Sequence, residues 1–154
     1  MNNKAVFAGT FDPFTLGHYE LVEKASRVFD EIIVAVALSE KQCKFSLDAR
    51  IEIAKRSVSS IKNATVMSFS GFLTDFMKEV GAKTFIRGIR NTIDFEYEKN
   101  LYNAYKSFDS KIEGVYLIPS PNLSHVSSSL VREVLDLNGD VSALIRPEAT
   151  ELIK

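Results

Sequence analysis

Three short segments of this chain hold residue types that could handle phosphate esters. The first is Gly9-Thr10-Phe11-Asp12-Pro13-Phe14-Thr15-Leu16-Gly17-His18, which follows a short apolar run. Gly9 lacks a Cβ where a strand would end, so a phosphate could approach the backbone there. Gly17 and His18 open a helical pattern, where free N–H groups and the helix dipole favour an anion. The dipole disfavours a protonated imidazole in a first turn, so a neutral His18 donating one N–H to phosphate suits the position better. The spacing equally allows a plainer reading, in which the glycines only turn the chain and His18 packs beside Val22 and Ala25. The second segment is Arg87-Gly88-Ile89-Arg90 followed by Asp94-Phe95-Glu96-Tyr97-Glu98, and the third is Val126-Ser127-Ser128-Ser129-Leu130-Val131-Arg132-Glu133. Taken singly, two arginines around a glycine could be solvated surface. Acidic residues in a first helical turn complement the dipole, and serines before an apolar run can be an N-cap. All three together, each after a predicted strand, point to one phosphate-handling site.

Several other chemistries are excluded. The chain has no G-x-x-x-x-G-K-[ST] and no G-x-G-x-x-G, so neither a P-loop nor the dinucleotide fingerprint is present. A single cysteine, Cys43, and two histidines leave no internal disulfide and little for a structural zinc site. Nothing marks Cys43 as reactive. With 19 Lys and Arg against 20 Asp and Glu, the net charge of −1 gives no reason to expect binding to nucleic acid or to an acidic membrane. The first residues lack the apolar run of a secretory signal. The longest apolar stretch, residues 32–38, is far short of the 18 or so needed to span a bilayer. The expectation is a soluble cytoplasmic protein.

The elements that must position the three segments follow from hydrophobic periodicity. Residues 4–8, 32–38, 65–69, 84–86 and 114–118 read as strands. Leu21, Val22, Ala25, Val28 and Phe29 share one face of a helix starting near Gly17. Ser46 can cap a second helix running to about Ser60. Phe72, Leu73, Phe76, Met77 and Val80 mark a third, with Gly81 as its stop. A fourth runs from Asp94 to about Phe108, a fifth from the serine run to before Gly139, and Pro147 can open a short last one. Strands alternating with helices predict an α/β fold: a single Rossmann-like domain over residues 1–154, with a five-stranded parallel sheet and helices on both faces. Ligands of such sheets bind beyond the carboxyl ends of the strands, where all three segments fall.

The element G-T-F-D-P-x-T-x-G-H resembles the signature of Rossmann-like nucleotidyltransferases, and its T-x-G-H part resembles a motif of class I aminoacyl-tRNA synthetases. The R-G-I-R…D-F-E-Y-E and V-S-S-S-L-V-R-E segments narrow this to a resemblance to the bacterial phosphopantetheine adenylyltransferase family, collinear from Ala5 to about Pro147. Relatives acting on nicotinate mononucleotide or glycerol phosphate usually carry His where Thr15 stands and lack the RGIR…DFEYE stretch. A non-catalytic nucleotide-binding protein on the same fold is a further alternative, against which Thr10, His18 and Arg90 argue. Three departures stand out: Ala8 replaces a common Pro, Leu123 and His125 stand where aromatic residues are frequent, and the loop after the second strand is one residue short.

The resemblance implies transfer of the adenylyl group of ATP to 4′-phosphopantetheine, giving dephospho-coenzyme A and pyrophosphate, with Mg²⁺ whose ligands the sequence leaves unassigned. It also implies a homohexamer and coenzyme A as feedback inhibitor. By matching position, His18, Thr10, Lys41 and Arg90 would be catalytic. ATP would meet Gly9, Thr10, Phe11, His18, Gly88, Ile89, Arg90 and Glu98, and on the pyrophosphate side Leu123, Ser124, His125, Val126, Ser127, Ser128 and Ser129. The acceptor would meet Thr10, Lys41, Leu73 and Arg87. Of the two lysines in the shortened loop, the register favours Lys41 over Lys44.

Overall fold

A computed structural model describes residues 2–39 and 42–153. Its strands are β1 (Lys4–Gly9), β2 (Glu31–Ala37), β3 (Ala64–Phe69), β4 (Thr84–Gly88) and β5 (Glu113–Leu117). They form one five-stranded parallel sheet in the order β3-β2-β1-β4-β5. Between and after them lie α1 (Leu16–Ser26), α2 (Leu47–Ser57), α3 (Leu73–Glu79), α4 (Thr92–Phe108) and α5 (Ser128–Asp136), with short 3₁₀ turns at Pro121–Leu123 and Pro147–Leu152. The expected alternation is present.

Side-chain alternation along the strands divides the core into two layers. Ala5 and Phe7 of β1 join Ile32, Val34 and Val36 of β2 against Val22 and Ala25 of α1 and Ile53 and Ala54 of α2. Val6, Ala8, Ile33 and Ala35 face the other way, onto Leu73, Phe76 and Met77 of α3. Central strands buried on both faces must be apolar at every position, which is why β1 and β2 read as unbroken runs. Each fully buried Val or Ile there contributes roughly 1.5–3 kcal/mol.

The helix ends follow the caps. Ser46 accepts from the Ala49 N–H, Asn91 from Asp94 and Ser127 from Leu130. Gly81, at φ 72°, takes the left-handed turn that ends α3. Because Asn91 is the cap of α4, only Asp94 lies in its first turn. Glu96 and Glu98 are one turn further on, so the dipole does not account for them.

Strands β1 to β3 wind outward on one side, and the chain then returns to place β4 on the other side of β1. The strand order therefore reverses between β1 and β4, whose carboxyl ends are Gly9 and Gly88. A crevice beyond such a reversal is where open α/β sheets bind ligands.

Candidate active site

A cleft of about 690 Å³ opens at this reversal, between the turns after β1, β4 and β5. His18 stands in the first turn of α1 and closes a reciprocal cap. Thr15 Oγ1 accepts from the His18 backbone N–H, and the Thr15 backbone N–H donates to His18 Nδ1 at 3.0 Å. An Nδ1 that accepts carries no proton, so the neutral ring holds its proton on Nε2. Phe11 packs edge-on against the imidazole at 5.0 Å and Phe14 lies 5.2 Å away. Burial, with the nearby charges of Arg87 and Arg90, brings the His18 pKa down from 6.5 to about 4. The ring is neutral at physiological pH, as the helix position favours, and besides packing on the two phenylalanines it lines the cleft.

Gly9 and Phe11 line the cleft and also pack on each other. A Cβ on Gly9 would lie 3.1 Å from ring carbons of Phe11. The missing side chain thus admits Phe11, whose ring is 4% exposed and packs on Phe7 and Phe14. Phe11 reaches this position through a left-handed backbone at φ 49°, an uncommon conformation for a large residue. The ring is mostly covered by protein, and the residue still borders the cleft.

Polar residues given no role by the sequence reading hold this turn in place. Asp12, 5% exposed, accepts from the backbone N–H groups of Lys44 and Phe45 at 2.8 and 2.9 Å. Arg132 of α5 donates to the Asp12 carbonyl at 2.7 Å. Arg50, 2% exposed, donates through Nη1 to the carbonyls of Thr10 and Ala37 and through Nε to that of Phe45. The Lys44 ammonium pairs with Asp136 at 2.6 Å. Lys41 lies outside the described residues.

In the turn after β4, Arg87 donates through Nε to both oxygens of Glu98 at 3.0 Å and through Nη2 to Oε1 at 2.8 Å. Its Nη1 donates to the Ala8 carbonyl at 3.3 Å. Arg90 is oriented by Asp94, which accepts from its backbone N–H and from Nε. A Cβ on Gly88 would lie 2.7 Å from a methyl of Leu21, so this glycine lets α1 and β4 approach.

Helix α1 also fixes the turn after β5. Glu20 accepts from the backbone N–H and the hydroxyl of Ser120, and Lys24 donates to the Ile118 carbonyl. Ser120 holds the Glu20 carboxyl below its ordinary value, against the opposing effect of burial. Gly17 lies where a Cβ would sit 3.3 Å from the Val126 carbonyl. The serines are divided by role: Ser127 caps α5, the Ser128 hydroxyl donates to the Pro13 carbonyl at 2.7 Å, and Ser129 accepts from Arg132.

Of the residues expected from sequence, Gly9, Thr10, Phe11, His18, Arg87, Gly88, Arg90, Glu98, Leu123, Val126, Ser127 and Ser128 line the cleft. Ile89, Ser124, His125 and Ser129 do not. Ile89 bonds through its N–H to the Leu117 carbonyl, and the Ser124 hydroxyl donates to the Pro121 carbonyl. Leu73 is in the core layer under α3, because it is the first apolar residue of that helix. Sequence reasoning missed Asp12, Gln42, Asp94, Tyr97 and Arg132 as lining residues. The only signal for Arg132 was its place in the VSSSLVRE segment.

The residues present do not form a protein cage for Mg²⁺. Among the described residues no three His, Cys, Asp or Glu side chains cluster suitably. The carboxylates at the cleft are engaged, Asp12 by two backbone N–H groups, Asp94 by Arg90 and Glu98 by Arg87.

A cleft at the strand reversal lined by Arg87, Arg90 and Arg132, with a neutral histidine at a helix start, defines a nucleotidyltransferase on a Rossmann-like sheet. Residues 6–134 match the Cytidylyltransferase-like family. A protein from Nautilia profundicola named phosphopantetheine adenylyltransferase is 46% identical over 149 residues, 96% of this chain and 97% of the relative. One of the same name from Tolumonas auensis is 44% identical over 155 residues, 100% of this chain and 94% of the relative. The chain belongs to the phosphopantetheine adenylyltransferase family. A solved structure from Vibrio parahaemolyticus, described as a nicotinate-nucleotide adenylyltransferase, covers 99% of this chain and 91% of its own at a TM-score of 0.77. At 18% identity it shares the fold.

Proposed function

We propose that the cleft transfers the adenylyl group of ATP to 4′-phosphopantetheine, releasing pyrophosphate and dephospho-coenzyme A. The attacking group is a phosphate monoester with a second pKa near 6, so it is mostly dianionic at neutral pH. It needs neither a general base nor a protein nucleophile, and catalysis reduces to positioning and charge stabilisation during in-line attack on the α-phosphorus. The observation that carries this reading is the neutral His18 ring with its proton on Nε2. That N–H meets the charge that grows on the α-phosphate, and Thr10 and Arg90 bind beside it. Arg87 receives the acceptor phosphate, for which a planar guanidinium suits paired contacts. The start of α5 and Arg132 face the departing pyrophosphate. Lys41 is assigned to the reacting phosphates from its place in sequence.

Mg²⁺ accompanies ATP on its phosphates and water, and no protein ligand is assigned. Coenzyme A, which shares the product's framework, competes in the same cleft as a feedback inhibitor. A homohexamer belongs to the same reading, and Ile93 and Phe95, 80% and 49% exposed at the start of α4, are apolar groups that a subunit contact would cover. The cytoplasm is the proposed location; no described helix is long and apolar enough to cross a membrane. A pyrophosphate-release assay with ATP and each of 4′-phosphopantetheine, nicotinate mononucleotide and glycerol phosphate tests the reading. Turnover with the first alone is expected, and turnover only with another acceptor, or with none, overturns it.

A further inference from the structure

Two residues beyond His18, helix α1 presents a carboxylate that no step of the proposed reaction uses. Glu20 is 9% exposed, and its oxygens reach the turn after β5. We propose that Glu20 is a positioning residue for ATP: it holds Ser120, and through Ser120 the short turn Pro121–Leu123, and so sets the wall of the cleft against which the nucleotide binds. The proposal rests on the reading above in which ATP lies along the turn after β5.

The chain here runs Ile118-Pro119-Ser120-Pro121. Proline has no N–H, so of residues 119–121 only Ser120 can donate from the backbone. That donor goes to Glu20, at 3.0 Å to Oε2 and 3.3 Å to Oε1, and the Ser120 hydroxyl donates to Oε1 as well. Lys24, one turn along α1, completes the contact. Its ammonium lies 3.2 Å from Glu20 Oε1 and donates to the Ile118 carbonyl at 2.7 Å. Ser120 stands at the start of the 3₁₀ turn, where a serine hydroxyl is suited to capping, yet it makes no side-chain cap. The hydroxyl goes to α1 instead.

The turn transmits that anchor to the cleft. The Leu123 N–H donates to the Ser120 carbonyl at 2.9 Å, and the Val126 N–H to the Leu123 carbonyl at 3.0 Å. A shift of Ser120 therefore moves Leu123 and Val126, which line the cleft together with Gly17 and His18. At the far end of the segment the Ser128 hydroxyl donates to the Pro13 carbonyl, just before α1. The segment is thus fixed to α1 and its approach at both ends, and only the Glu20 end is held by a charge. The acceptor side does not share this support, because Arg87 is held by Glu98 and the Ala8 carbonyl.

Calorimetric binding of ATP and of 4′-phosphopantetheine, with steady-state kinetics and thermal unfolding, on Glu20→Ala, Glu20→Gln and Ser120→Ala tests the idea. In Glu20→Ala the ATP KM and Kd are expected to rise about tenfold or more, while the acceptor Kd and kcat move less than about threefold. Glu20→Gln keeps the shape and one acceptor oxygen, and should bring the ATP constants back to within about threefold of the parent. If Glu20→Ala does not fold, Ser120→Ala reads the same split at smaller size, a rise of about threefold or more in the ATP constants alone, the net worth of one hydrogen bond. A lowered melting temperature with ATP affinity unchanged overturns the proposal, since the carboxylate would then serve only the fold. An equal loss for both substrates overturns it too, as does a fall in kcat with ATP affinity unchanged, which would point to His18 on the same helix. Failure of the underlying reading is separately visible in the parent protein, which would then bind no ATP or release no pyrophosphate, and the proposal falls with it.

Discussion

The backbone N–H of Thr15 donates to Nδ1 of His18 across 3.0 Å, so one turn of chain sets both the start of a helix and the tautomer of a ring. The two outcomes are inseparable. A histidine at this helical position that answers the cap must present Nε2–H, and a protonated ring could not accept the bond at all. The dipole, the cap and the adjacent arginines act in the same direction.

Replacing His18 by Ala should lower kcat by about 10²–10³ with a modest change in KM, the usual loss for one transition-state donor. Steady-state rates on the purified variant read this directly. Near-normal turnover would leave the ring with a packing role only.

The lowered His18 pKa links folding to pH. Between about 4 and 6.5 the unfolded chain binds a proton at this ring and the folded chain does not, so stability rises with pH across that window. Acidifying through it should cost at most about 3 kcal/mol from this group, with no further loss below the folded value. Urea denaturation of the parent and of His18→Gln at pH 4.5 and 7 measures the difference, which should shrink in the variant. An equal pH response in both proteins would count against the assigned shift.

Lys44 is paired with Asp136 and so is drawn toward α5. An exposed pair of this kind is worth little to stability. Lys41→Ala is expected to reduce kcat/KM for both substrates at least about ten times more than Lys44→Ala does, since only the former is assigned to the phosphates. A larger loss at Lys44 would mean that the deletion in the preceding loop is placed wrongly.

Ser128 bonds through its hydroxyl to the Pro13 carbonyl. Its removal deletes one neutral hydrogen bond, a net contribution of about 1 kcal/mol. Ser128→Ala should therefore lower kcat/KM by less than tenfold. A greater loss in the same assay would assign the hydroxyl a direct part in catalysis.

The strand and helix order was readable because β1 and β2 are apolar at every buried position and because Ser46, Gly81 and the serine run mark helix ends. The cleft's location followed from the three segments and the rule about strand ends. Three kinds of information were not readable. Whether Phe11 faces a ligand or the core depends on one backbone angle that no residue type dictates. Leu73 carries an apolar side chain that serves packing and ligand contact alike, and only its placement decides. Asp12, Arg50 and Arg132 bond to backbone groups more than 30 residues away. Such contacts leave no spacing in the sequence. The Arg87–Glu98 pair was visible as two residues and invisible as one unit.

Arg50 is sealed at the carboxyl edge of the sheet, bonded only to carbonyl oxygens and forming no ion pair among the described residues. Its charge sits below Thr10 whether or not a ligand is present, and the chain's net charge of −1 conceals it. A fixed cation behind the Thr10 carbonyl adds a constant positive contribution at the end of β1, of the kind that draws polyanions in from solution. The first event in the enzyme's cycle is then a long-range encounter, whose rate constant for ATP in stopped-flow mixing should fall as added salt shortens the reach of that field.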